Sequence, residues 1–171
     1  MPIAQMLLPE FYQEIKNTRK LLECVPDGKF DYKPHYKSMT LGRLAGHVAE
    51  LPSYATVTMS TDSFEVPDNY QPFVPKSKKE VLESFDKHAA EARAAIASAT
   101  DEQLGKAWSL RARGKEMFSM PRAAVLRAMV MNHLIHHRAQ LGVYLRLNNV
   151  AIPGMYGPSA DDMQQSNAQR A

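Results

Sequence analysis

Cysteine is nearly absent. Cys24 stands alone among 171 residues, so no intrachain disulfide can form and a disulfide-stapled fold is excluded. Long apolar runs are missing too: nothing approaches the roughly 18 consecutive apolar residues of a membrane-spanning helix. The first turns carry Glu10 and Glu14 and lack the basic start and apolar stretch of a secretory signal. A soluble cytoplasmic protein is therefore expected. Charge of one sign is also scarce. A formal net charge of +3 does not mark a nucleic-acid binder.

What is present is ordinary globular material, 44% hydrophobic and 23% charged, in a length that suits one domain with a real core. We expect that domain over residues 1–160, with 161–171 a polar, frayed tail. Helical periodicity dominates. Leu7, Phe11, Ile15 and Leu21-Leu22 mark a first helix over about residues 3–25. Thr40 is an N-cap candidate for a second, whose apolar face runs Leu44, His47, Val48, Leu51 and Tyr54-Ala55. Pro52 should kink it or open its hydrogen bonding. Residues 62–76 hold Pro67, Pro72 and Pro75 and read as a long loop. Ser77 to Glu80 spells a capping box for a third helix.

Residues 101–120 break the pattern. Trp108-Ser109-Leu110 and Met117-Phe118-Ser119-Met120 flank Arg113-Gly114-Lys115, which predicts a short β-hairpin. Pro121 suits the first position of a fourth helix running to about Leu147. Its stripe is Val125-Leu126, Met129-Val130, His133, His137, Leu141 and Tyr144, and Asn148-Asn149 can end it in a left-handed cap. The expected fold class is all-α: a four-helix bundle with a long loop between helices 2 and 3 and a hairpin before helix 4.

His133 and His137 are four apart, one turn above each other on a single helix face. His47 falls in the core-facing stripe of the second helix. One such histidine is satisfied by a backbone carbonyl; three that converge are satisfied together by a divalent transition metal. Both readings stand at this level. Three neutral imidazoles leave an ion with an open position, the layout of a catalytic rather than a closed structural site. An open ion lowers the pKa of water and deprotonates a thiol, so thiol transfer or hydrolysis on a small electrophilic substrate is the expected chemistry. The residue after His133 is Leu134, so the glutamate of a zinc-protease helix is missing and a metalloprotease is disfavoured.

The segments Thr40-Leu41-Gly42-Arg43-Leu44-Ala45-Gly46-His47-Val48-Ala49-Glu50-Leu51-Pro52 and Asn132-His133-Leu134-Ile135-His136-His137-Arg138-Ala139-Gln140-Leu141 resemble the second- and fourth-helix signatures of the DinB (damage-inducible, YfiT-like) superfamily. Val150 to Gly157 resembles that family's exit from the last helix. The resemblance implies His47, His133 and His137 as metal ligands, a four-helix bundle and a homodimer. It also implies an activity among transferases and isomerases that use low-molecular-weight thiols, or among hydrolases. One departure is Ala139, where the family frequently has glycine; alanine suits a helix interior.

The metal could be zinc, nickel, manganese or iron. Glu50 and Tyr54 are candidates for catalytic roles, Glu50 as a base or as a partner for a histidine N–H. Tyr144 and Tyr156 are candidates for binding a cofactor, Tyr156 by folding over the site mouth. His136 reads as a surface or interface residue, Arg138 as a partner for an acidic neighbour, and Cys24 as a small buried residue. Residues 105–127 set six basic residues against Glu116 alone. Without a recognised nucleic-acid motif they read as a solvated hairpin. The competing reading of the whole chain is a non-catalytic, stress-associated protein with a structural metal.

Overall fold

The computed structural model describes residues 1–169. The first helix, α1 (Ile3–Glu23), buries Leu7, Phe11, Leu21 and Leu22 as its periodicity predicts, but also Glu14. A single 3-10 turn, Asp27–Lys29, leads towards α2 (Leu41–Glu50), where the Thr40 hydroxyl accepts from Arg43 N–H as an N-cap. Pro52 has no N–H to give, and the helix breaks there. The chain resumes as α3 (Ser53–Ser60).

The expected loop 62–76 holds a strand, β1 (Ser63–Val66). Next comes α4 (Lys78–Ala97), capped by Ser77, whose hydroxyl accepts from Glu80 N–H. The reciprocal half of the expected capping box is absent: Glu80 accepts from Lys76 N–H instead. A short α5 (Asp101–Gly105) closes the connection.

The expected hairpin is β2 (Ala107–Ala112) and β3 (Lys115–Pro121). They pair antiparallel through a two-residue turn in which Arg113 and Gly114 both have positive φ, 51° and 72°. That suits the twist of a tight hairpin. β1 lies parallel to β2, Ser63 opposite Ser109, giving a sheet in the order β1-β2-β3. This corrects the all-α expectation: the chain is mostly helical and carries a small three-stranded sheet. A parallel pair needs a long crossover, and here the whole of α4 and α5 supplies it. Period-2 patterning could not flag a four-residue strand in a proline-rich loop. Trp108 anchors the sheet: it is buried, and its indole N–H donates to Thr61 Oγ1 at 3.1 Å.

Pro121 ends β3 rather than opening a helix. The last helical stretch runs α6 (Arg122–Val125), a π-helical segment over Leu126–Asn132, then α7 (His133–Leu147). It ends as expected: Asn149 has φ 57°. Asn149 N–H bonds Arg146 O, and Val150 N–H bonds Leu145 O, the paired bonds of a Schellman cap. Along α7 the buried side chains are Leu134, Arg138, Leu141 and Leu145. The histidines therefore sit on the margin of the core stripe, not at its centre. Buried Leu126, Val130, Leu134 and Arg138 recur every four residues. On a helix of 3.6 residues per turn each such step walks about 40° around the axis. The wider π-turn absorbs that drift.

The helices share two apolar clusters, one around Leu22, Leu44, Val48, Phe85 and Leu141, the other around Phe11, Ala55, Ile96, Leu126 and Met131. The tail differs from expectation within the described residues. Ser159 and Asp162 form a reciprocal capping box that starts α8 (Ala160–Ala168). Asp161 and Asp162 accept from Ile152 and Gly154 N–H, so the polar residues fold back on the segment before them. Residues 170 and 171 of the expected tail lie outside the described residues.

Candidate metal centre

Two elements bring the three histidines together. The break at Pro52 ends α2 one turn past His47, and the π-segment ends at Asn132, so α7 opens on His133. His133 Nε2 lies 3.4 Å from His47 Nε2 and 3.0 Å from His137 Nε2. One ligand atom from each of the three falls within 4.8 Å of the others. For comparison, two nitrogens bound tetrahedrally to zinc at 2.0–2.1 Å stand about 3.3 Å apart.

Hydrogen bonding alone cannot satisfy this cluster. A ring nitrogen carries one hydrogen or one lone pair, so His133 Nε2 can serve only one of its two close neighbours. The buried Nδ1 atom of His47 has no hydrogen-bond partner either. A cation between the three rings would answer all three inward lone pairs. Burial pushes the His137 imidazole down to about 4, with Gln140 opposing and the other histidines adding to the fall. Burial and the neighbouring His47 also lower His133, against a partial offset from the Met129 carbonyl. These rings are neutral at pH 7, the state that ligates metal. The donor set therefore fits a divalent transition ion.

The other candidate residues fall as follows. Glu50 Oε2 is 3.9 Å from His47 Nδ1, too far for a hydrogen bond. It pairs instead with Arg43 Nη1 at 3.2 Å, and Oε1 accepts from Phe73 N–H. Its carboxylate is thus committed to holding the 62–76 loop against α2. Tyr54 lines a cavity of about 290 Å³ with Glu50, Phe64, Tyr70 and His88, and burial raises its hydroxyl pKa. Tyr144 donates to the Met39 carbonyl at 3.2 Å and packs edge-on against Tyr32. Tyr156 does not fold over the histidines. Its hydroxyl accepts from Arg138 Nη2 at 2.6 Å and donates to Glu14 Oε2 at 2.8 Å, because Arg138 and Glu14 form a buried ion pair at 2.7 Å that leaves a place for it.

Two residues escaped the sequence reading. Glu14 entered only as an acidic residue of the first turns, although it lies one turn from both Phe11 and Thr18 on the buried side. Gln140 touches the cluster directly: His137 Nδ1 lies 2.7 Å from its Oε1. Its position three residues after His137 was the available signal. His136 is exposed, as expected, with Nε2 3.1 Å from Gln140 Nε2. The basic stretch is largely paired: Arg111 with Glu65, Arg127 with Glu10, Lys106 with Glu102. Arg122 is buried on the Thr58 and Thr61 carbonyls and Asp62. Cys24 is half-buried, its thiol bonded to the Lys20 carbonyl and its pKa raised by burial.

Known proteins resemble this chain in sequence and fold. The chain is 28% identical over 151 residues to YrdA of Bacillus subtilis (strain 168), an uncharacterized protein, covering 87% of this chain and 85% of that one. A DinB-like protein from Bacillus cereus ATCC 10987 superposes with a TM-score of 0.67 at 27% identity, over 87% of this chain and 95% of the other. A DinB-like protein from Bacillus subtilis, YjoA, matches in fold with a TM-score of 0.68 at 20% identity, over 88% and 97% of the two chains. The model of the DinB family matches residues 1–170. With that match over its length, and three histidines gathered from its second and last helical stretches, the chain belongs to the DinB family.

Proposed function

We propose that this protein is a metal-dependent enzyme that holds one divalent transition ion on His47, His133 and His137 and acts on a small electrophilic substrate by thiol transfer or hydrolysis. The observation that carries the reading is the convergence of three imidazole nitrogens whose hydrogen-bonding needs no proton placement can meet. When bound, such an ion supplies Lewis acidity and makes a thiol or water nucleophilic near neutral pH. The protein's part is to present three imidazole rings from two helical elements. The half-buried setting limits water around them. Glu50 is a positioning group in this reading: its contacts with Arg43 and Phe73 N–H fix the 62–76 loop beside His47.

The finer architecture belongs to the same proposal: α1, α2–α3, α4 and α6–α7 act as a four-helix bundle with the sheet at one end. So do a cytoplasmic homodimer and a low-molecular-weight thiol as co-substrate. Light scattering of the purified chain tests the dimer. Elemental analysis of tag-free protein tests the metal. About one zinc, nickel, manganese or iron per chain, lost in a His133→Ala/His137→Ala variant, supports the site. Turnover of an electrophile panel with bacillithiol, glutathione or water then tests catalysis. Metal without turnover favours the structural-metal alternative. No metal after reconstitution with each of the four ions overturns the proposal.

A further inference from the structure

An amide side chain has a donor end and an acceptor end, and its neighbours decide which faces where. Gln140 stands between His136 and His137 on α7, four and three residues beyond them, so all three lie on adjoining faces of one helix. Its Nε2 is 3.1 Å from His136 Nε2, and its Oε1 is 2.7 Å from His137 Nδ1. His136 can accept the amide N–H. Oε1 then has only an acceptor's role to offer His137. For that bond to exist His137 must carry its proton on Nδ1, which leaves Nε2 as a bare lone pair. That Nε2 points at the cluster, 3.0 Å from His133 Nε2.

We propose that Gln140 is a positioning residue of the metal centre: it fixes the tautomer and rotation of His137 so that Nε2 faces the ion. This rests on the reading of the three histidines as ligands. Support comes from the contrast within the cluster. The Nδ1 atom of His47 has no hydrogen-bond partner, so nothing presets its tautomer. His137, by contrast, meets a side-chain acceptor at 2.7 Å. A metal-ligating histidine whose other ring N–H is held by an acceptor follows a general pattern, and losing the acceptor typically costs about 10–100-fold in metal affinity. The bland alternative is a surface glutamine that meets a histidine without consequence. It requires that changing Gln140 alter neither the ring nor the ion.

The experiment uses the full chain, metal-free and labelled with 15N-histidine, in wild-type form and as Gln140→Leu and Gln140→Glu. Long-range 15N–1H spectra, assigned with His136→Ala and His137→Gln variants, read each ring's protonated nitrogen. Zinc titrations with a competing chelator read affinity, and circular dichroism with thermal melts checks the fold. The wild type should show His137 protonated on Nδ1. Gln140→Leu should lose that single tautomer and bind zinc about 10–100-fold more weakly, with its melting temperature unchanged. Gln140→Glu keeps an acceptor and should restore both properties. A wild-type His137 protonated on Nε2, or a Gln140→Leu chain with wild-type spectra and affinity, would overturn the proposal. Zinc that fails to bind the wild type while the tautomer is as stated would instead overturn the metal reading, and Gln140's role in it.

Discussion

Arg138 shows how one residue can decide the interior. Its guanidinium is buried and meets the Glu14 carboxylate, the Glu14 carbonyl, Thr18 Oγ1 and the Tyr156 hydroxyl. A buried pair of this kind adds little over a well-packed apolar pair, but removing one partner strands the other. Arg138→Ala should therefore cost about 3–5 kcal/mol in urea unfolding. Tyr156→Phe removes one hydroxyl between two charged groups and should cost about 1.5–3 kcal/mol. An Arg138→Ala cost below that of Tyr156→Phe would mean that the guanidinium is not the organising group. Position alone made Arg138 visible as an ion-pair partner. Its acidic mate, 124 residues away in α1, was not.

At the scale of elements, the last helical stretch matters most. The π-segment changes the face that α7 presents relative to α6. Deleting the exposed Ala128 should turn the π-segment into ordinary α-helix, and because the extra residue of the wide turn is the one removed, α6 and α7 should keep their facing sides. The chain should keep both its helical circular dichroism and its metal in the elemental assay; lost metal would show that the π-turn itself, and not only the facing of α7, sets the site. The α2 side has its own constraint. A Cβ at Gly46 would stand 2.6 Å from Pro75 Cδ and 2.8 Å from the Phe73 carbonyl. Gly46→Ala should thus push the 62–76 loop off α2 and lower the melting temperature, whereas Gly105→Ala, with nothing within 4 Å, should not.

For the molecule as a whole, the neutral histidines make metal-free stability depend on pH. In the unfolded chain a histidine takes its proton near 6.5, but folded His137 does so only near 4, and His133 is lowered as well. Between those values the unfolded state binds more protons, so stability falls as pH falls. It is fully present above pH 6.5 and is lost progressively towards pH 4. The urea midpoint of the metal-free chain should drop from pH 7 to pH 4.5, and His137→Gln should flatten that slope. An equal slope in the variant would place the pH dependence elsewhere. Bound metal competes with the same protons and should steepen the loss.

What the sequence determined by itself is what local physics governs. Helical periodicity, the Thr40 and Ser77 caps, the break at Pro52, the Arg113-Gly114 hairpin and the left-handed exit at Asn149 each depend on a few neighbouring residues. The i, i+4 spacing of His133 and His137 placed two imidazoles on one face in the same way. The tertiary structure decided what joins distant segments: the parallel pairing of β1 with β2, the return of α8, the burial of Glu14 against Arg138, and the approach of His47 to the other two histidines. None of these is written in local periodicity, because each exists only once long loops have closed and two apolar faces have met. The π-segment lies between the two classes. Its four-residue recurrence of buried positions is visible in the chain, but only the packed core says which of those positions are buried.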